Sequence, residues 1–183
     1  DNIDYQTIFS KKDGSIAAPT AGLHFTDNLI DEITKKGVRF ERITLNIGLG
    51  TFLPLRNDKV EDNSLQSEHC FISESTVKKL NEAKKKKNQR IISVGTTSLR
   101  SLETSFNGNE FVPVNSKTNK FIYPGIKINS IDALITNFHL PKSSLFILIC
   151  ALMGTKKMLE AYNYAIKNNY RFYSYGDACF LEK

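Results

Sequence analysis

The chain has 183 residues, 40% of them apolar and 10% aromatic, with a net charge of +6 and a pI near 9.2. That is enough apolar material for one packed domain with at most a small appendage, and the basic balance tolerates an anionic partner such as nucleic acid without requiring one. The longest apolar run, Leu145 to Met153, falls far short of the roughly 20 residues that span a bilayer, so a membrane-spanning helix is excluded.

Helix and strand patterns alternate along the sequence. The stretch AAPTAGLHFT, residues 17 to 26, gathers Pro19, Thr20, Gly22, His24 and Thr26 into a turn that opens a helix, a natural place for an anionic or polar ligand. Thr26 is the expected N-cap of a helix to about Lys36, with Leu29, Ile30 and Ile33 on one face and Gly37 as its stop. A strand follows, with Val38, Phe40, Ile43, Leu45 and Ile47 apolar, and the phase shift between Phe40 and Ile43 predicts a bulge or a long twisted strand. Ser73 caps a second helix that buries Val77, Leu80 and Ala83 and ends in Lys84 to Lys87, where cations suit the C-terminal dipole. Ile91 to Val94 reads as a short buried strand, followed by a turn and a helix from about Ser98 to Thr104. Residues 106 to 120, rich in Asn, Gly, Ser and Lys, read as a loop or hairpin. Ile131 to Thr136 is another strand, and 145 to 153 a buried helix stopped by Gly154. Thr155 starts a last helix with Met158, Leu159, Tyr162, Ala165 and Ile166 at helical spacing, and Tyr170 to Tyr175 alternates as a final strand. Strands alternating with helices argue for parallel pairing and right-handed crossovers.

Cys70, Cys150 and Cys179 are far apart and odd in number, and no Cys or His pair has metal spacing, so reduced thiols are expected and no metal site. The chain opens on Asp1 and not on Met, the expected mark of processing or of a piece of something longer.

Four predicted strands run into unusual turns. Ile47 leads to GLGTF (48 to 52), Val94 to GTTSLRSLE (95 to 103), Ile135 to TNFHLP (136 to 141) and Tyr175 to GDA (176 to 178). In parallel α/β architectures the C-terminal strand ends share one face, and sites are built there. Gly48, Gly50, Thr96, Thr97, Arg100, Asn137, His139 and Asp177 are therefore expected to converge. Each has a duller reading. The glycines of GLGTF serve either a tight turn or a close ligand approach. GTTSLR is either an ordinary helix start or a donor-rich anion site, with Arg100 and Glu103 as a surface pair in the first case. Asp177 is either a turn former or a site residue, and the lysine run either a solvated helix end or a nucleic-acid contact. His69 reads as structural or exposed. No GxSxG, GxxxxGK[ST], HExxH or kinase set occurs, which argues against a hydrolase elbow, a P-loop NTPase and a zinc protease.

The strings GSIAAPTAGLHFT (14 to 26), TLNIGLGTFLPL (44 to 55), VGTTSLRSLE (94 to 103), FIYPG (121 to 125), DALITNFHLPKSSL (132 to 145) and YRFYSYGDA (170 to 178) together closely resemble the S-adenosylmethionine:tRNA ribosyltransferase-isomerase family. They occur in the family's order across nearly the whole chain. The resemblance implies a barrel-like α/β fold of mostly parallel strands alternating with helices, incomplete without an N-terminal half. Residues 1 to 183 would be the C-terminal part of the catalytic domain, beginning near Tyr5, Gln6 and Thr7, with the family's inserted β-rich domain absent. It implies a cytoplasmic enzyme, monomeric at full length, that moves and isomerises the ribosyl part of S-adenosylmethionine onto 7-aminomethyl-7-deazaguanine at the wobble position of a tRNA with a GUN anticodon. Adenine and methionine leave and epoxyqueuosine remains; S-adenosylmethionine is a consumed co-substrate and no resident cofactor is expected.

Proton transfer then falls to His24 and His139. Asp177 joins them as a catalytic candidate, with Asn137 fixing base or ribose. Thr96, Thr97 and Arg100 would take the methionine carboxylate or a phosphate, and Gly48 and Gly50 would admit the nucleoside. Thr20, Gly22, Thr51 and Tyr175 complete the expected substrate-binding set. The family pattern has histidines near residues 46, 63 and 66, where this chain has Asn46, Asn63 and Gln66, so those positions carry no assigned role. Two other classes fit the same residues: a non-catalytic tRNA-binding remnant, and a small-molecule α/β enzyme using the anion sites without nucleic acid.

Overall fold

The computed structural model describes residues 5–10, 15–48, 55 and 57–183. A 3-10 helix, Thr20–His24, precedes α1 (Asp27–Lys35), β1 (Thr44–Asn46), β2 (Glu68–Ile72), α2 (Glu74–Lys84), β3 (Ile92–Val94) and α3 (Thr96–Ser105). Then come β4 (Val114–Thr118), β5 (Ala133–Asn137), α4 (Ser144–Met153), α5 (Thr155–Lys167) and β6 (Ala178–Glu182). Three helices begin where a hydroxyl caps them: Thr26 accepts from the Leu29 N–H at 3.2 Å, Ser73 from Thr76 at 3.2 Å and Ser143 from Phe146 at 3.1 Å.

The expected barrel-like arrangement of mostly parallel strands is overturned. Among the described residues the strands form two small sheets, β1-β2-β4 and β3-β5-β6, and neither closes into a barrel. The first sheet is antiparallel throughout, with Asn46 opposite His69 and Glu68 opposite Thr118. In the second, β3 and β5 run parallel, but β6 returns antiparallel along β5 and sets Asn137 opposite Ala178. The reason is local. The segment EHCFI buries Glu68, Cys70 and Ile72 in alternation, and the polar segment VNSKT turns in Val114 and Thr118. Neither is apolar enough to announce a strand, yet β2 pairs along one edge with β1 and along the other with β4. Pairing of the predicted 38 to 47 strand is confined to Thr44–Asn46.

The predicted strand from Tyr170 to Tyr175 is a loop instead. Tyr173 takes φ 73°, which no strand accommodates, and the apolar alternation that pairs is Cys179 and Leu181, one turn later.

α3 lies between the sheets and touches strands of both. It is therefore buried nearly all round, including Arg100, Ser101, Glu103 and Ser105. Around it Cys70, Ile72, Leu99, Leu102, Phe111, Leu134, Leu148 and Ile149 form the core. α4 and α5 pack together about Gly154, whose φ of +91° ends one helix and starts the next. Met158, Tyr162 and Ala165 face inward, whereas the predicted core positions Leu159 and Ile166 are exposed.

Candidate functional site

The elements that gather the candidate residues meet where β3 and β5 end. Gly95 follows β3 at φ +88°, donates its N–H to the Ile135 carbonyl at 2.8 Å and occupies the N-cap of α3. A glycine N-cap has no side chain to satisfy the first N–H groups of α3, so Thr96 and Thr97 open a helix whose positive end lacks a side-chain cap. The 3-10 helix packs on β5, and the Ala21 Cβ lies 3.7 Å from where a Cβ on Gly95 would stand. Gly22 is close-packed as well, since a Cβ there would come 3.0 Å from Thr7 Cγ2. Thr20, Gly22 and His24 are thus carried beside the start of α3 and the end of β5.

His24 Nε2 is buried and has no hydrogen-bond partner among the described residues. Asn137 is 3% exposed; its amide nitrogen donates to the carbonyls of Tyr173 and Ser174, both at 3.1 Å, while its Oδ1 is buried without a partner among the described residues. Asp177 enters from the start of β6, because antiparallel pairing brings that end of β6 to the finish of β5. Its carboxylate accepts the Arg171 backbone N–H at 2.7 Å and the guanidinium at 2.9 and 3.2 Å. The backbone N–H first, and then the guanidinium, hold that carboxyl below the usual carboxylate range, and the His24 imidazole contributes in the same direction. His24 and Asp177 are therefore electrostatic neighbours, joined by fold and not by sequence.

His139 is placed differently. Successive strand residues point to opposite faces, so Thr136 and Asn137 diverge. His139 goes with Thr136, whose hydroxyl lies 2.9 Å from Nε2, and its backbone N–H donates to the Tyr162 hydroxyl at 2.8 Å. Burial pushes the imidazole down to about 4, so it is neutral near pH 7. The two histidines do not share one environment: His139 is fixed under α5, and His24 lies on the 3-10 helix that packs on β5.

Gly48 and Arg100 form a second, linked cluster. The Arg100 guanidinium, 2% exposed, meets Glu68 at 2.6 Å, and the other Glu68 oxygen accepts the Gly48 N–H at 3.1 Å. Burial lowers the Arg100 pKa and Glu68 opposes that shift. The alternative reading of Arg100 and Glu103 as a surface pair does not hold; Glu103 is buried and accepts the N–H groups of Asn129 and Ser130. The Glu68 contribution went unseen because its strand did. Ser15 and Ile16 bond to the backbone of Leu45 and Ile47, so this cluster adjoins the segment leading to His24. Gly50 and Thr51 lie outside the described residues.

Tyr175 lines a cavity of about 410 Å³ with Gln6, Thr7, Leu23, Phe25 and Asp27. Thr7 is 5% exposed with its Oγ1 unpartnered among the described residues, and sequence patterning gave no sign of it. The lysine run lies at the other end of the β3-β5-β6 sheet, where Lys84 bonds the Asn129 carbonyl and Asp132 receives the Ile91 N–H. Asn63, at a position where the family pattern has histidine, clamps its own loop through the carbonyls of Asn57 and Lys59. Among the described residues no His, Cys, Asp and Glu group is arranged to hold a metal ion, and no helix is long and apolar enough to cross a membrane.

Residues 1–181 match the family described as queuosine biosynthesis protein. The S-adenosylmethionine:tRNA ribosyltransferase-isomerase of Rickettsia felis is 49% identical over 181 residues, covering 99% of this chain and 49% of its own length. The protein of the same name from Rickettsia bellii (strain OSU 85-389) is 50% identical over 187 residues, covering 100% and 52%. The crystal structure of S-adenosylmethionine tRNA ribosyltransferase from Thermotoga maritima matches with a TM-score of 0.72 at 39% identity, over 87% of this chain and 50% of that one. The chain spans about half the length of the curated relatives it matches.

Proposed function

The chain belongs to the queuosine biosynthesis protein family, and from that premise we propose that it acts in the ribosyl transfer and isomerisation from S-adenosylmethionine to 7-aminomethyl-7-deazaguanine at the tRNA wobble position. Adenine and methionine are released and epoxyqueuosine stays in the RNA. S-adenosylmethionine is consumed as a substrate, the RNA partner carries a GUN anticodon, and the reaction belongs in the cytoplasm with the full-length enzyme a monomer.

One observation carries this reading: His24 Nε2 and Asn137 Oδ1 are buried without a partner among the described residues, and Asp177, held below the usual carboxylate range, precedes the β6 residue paired with Asn137. The chemistry needs a base for a proton on the carbon next to the sulfonium, where the positive charge acidifies it, and a donor for departing adenine. His24 suits the base, with the Asp177 carboxylate stabilising the imidazolium that forms. His139, dry and with its pKa pushed down to about 4, suits a neutral hydrogen-bonding role and is a poor base. The uncapped start of α3 at Thr96 and Thr97 suits the methionine carboxylate or a phosphate. Arg100 serves at one remove, holding the Gly48 turn through Glu68.

Turnover with S-adenosylmethionine and a modified anticodon stem–loop tests the roles. His24→Ala is expected to lower kcat by roughly 10²- to 10⁴-fold, the range of a lost general base. His139→Gln is expected to leave kcat within about tenfold. Near-parental turnover in both His24→Ala and His139→Ala rejects the proton-transfer assignment.

One alternative is a tRNA-binding remnant without catalysis. It predicts stem–loop binding with no adenine released.

A further inference from the structure

Tyr170, Tyr173 and Tyr175 are 43%, 63% and 52% exposed along the loop 170–176, while Phe172 between them turns inward onto Phe138 and Tyr162. Tyr170 also packs edge-on against Phe138 and Tyr175 against Tyr5, whereas Tyr173 makes no ring contact among the described residues. The loop that carries it is held from several directions. Asn137 donates to two of its carbonyls, Tyr173 donates its N–H to the Phe138 carbonyl at 3.1 Å, and Asp177 grips Arg171 by backbone and guanidinium. Gly176 is packed so tightly that a Cβ would lie 2.6 Å from the Arg171 carbonyl oxygen. Tyr173 itself sits at φ 73°, where glycine or asparagine would be unstrained and an aromatic residue is not. A rigid loop therefore maintains, against local preference, a tyrosine aimed outward. Beside it the Arg171 side chain is 74% exposed, on a chain of net charge +6.

We propose that Tyr173, flanked by Tyr175 and Arg171, is a stacking platform for unpaired RNA bases next to the His24–Asn137–Asp177 site. Every base has a π-face, and an exposed ring beside a guanidinium is the usual surface for splayed-out loop nucleotides. The platform is one strand-end away from the site through Asn137, which ends β5 and donates to the loop carbonyls of Tyr173 and Ser174. A protein partner is less suited, because the rings stand in a row beside a cation and not in a closed apolar patch. The inference rests on the tRNA reading and adds to it where the anticodon loop lies.

The test is fluorescence anisotropy of the whole chain with a labelled anticodon stem–loop RNA and with a fully paired duplex of equal length. Tyr173→Ala is expected to weaken stem–loop binding roughly tenfold, Tyr173→Phe to restore it, and the duplex to be insensitive to both. Tyr164→Ala on α5, which removes a ring of the same 63% exposure, is the control and is expected to change nothing. Stem–loop affinity that survives Tyr173→Ala, or a loss that Phe does not restore, overturns the platform and leaves tRNA as partner. A parental chain that binds neither RNA overturns the tRNA reading itself. Urea midpoints within error of the parent establish that an affinity change is not unfolding.

Discussion

Glu68 and Arg100 take two charges out of water together, and such a pair holds only while both members are present. Glu68→Gln is expected to destabilise the fold by about 3–5 kcal/mol in urea denaturation, because the buried Arg100 then loses the Glu68 carboxylate. The double variant Glu68→Gln/Arg100→Met is expected to recover much of that loss; equal damage in single and double variants would show the pair to be incidental. His139 gives a pH signature. Its folded pKa of about 4 is below the ordinary 6.5, so the unfolded chain binds the proton first as pH falls. The contribution is present above pH 6.5 and is lost between pH 6.5 and 4, on the order of 3 kcal/mol in total. His139→Gln is expected to flatten that part of the stability–pH curve. At this scale the sequence placed Asn137 and Asp177 at strand ends, and the antiparallel pairing of β5 with β6 brings those ends together. It gave no sign of the Arg100–Glu68 pair, because Glu68 lies in a strand that composition conceals.

The helices were legible because their ends are written in single residues. Thr26, Ser73 and Gly37 do what their chemistry suggests. Strands were legible only where apolar runs were long, as in β5. β2 and β4 were missed because His, Asn, Ser and Lys fill their outward positions. The last strand was placed too early because Tyr170–Tyr175 alternates in sequence but turns at Tyr173 in space. Gly176 enforces that turn. Gly176→Ala is expected to cost well over the ~1 kcal/mol typical of a point substitution, and to loosen Asp177 with the loop. The thermal midpoint reads the first effect, and protease susceptibility near residue 173 the second. An unchanged midpoint would contradict the close packing.

Across the whole molecule, charge and chemistry are separated. The run Lys84 to Lys87 lies at the end of the β3-β5-β6 sheet opposite to His24 and Asp177. Replacing Lys85, Lys86 and Lys87 by serine is expected to leave kcat at saturating RNA unchanged; a large fall would put the lysines at the reaction. Sequence alternation suggested one parallel sheet, whereas α3 packs between two small ones, because polar strands pair as readily as apolar ones once backbone groups need partners. What survives that change is the meeting of the 3-10 helix, the start of α3, the end of β5 and the start of β6. The most direct measurement of what that meeting does is release of free adenine from S-adenosylmethionine by this chain, with and without an anticodon stem–loop bearing 7-aminomethyl-7-deazaguanine. RNA-dependent adenine release that His24→Ala abolishes is the predicted result; RNA binding with no adenine released would contradict catalysis by these residues.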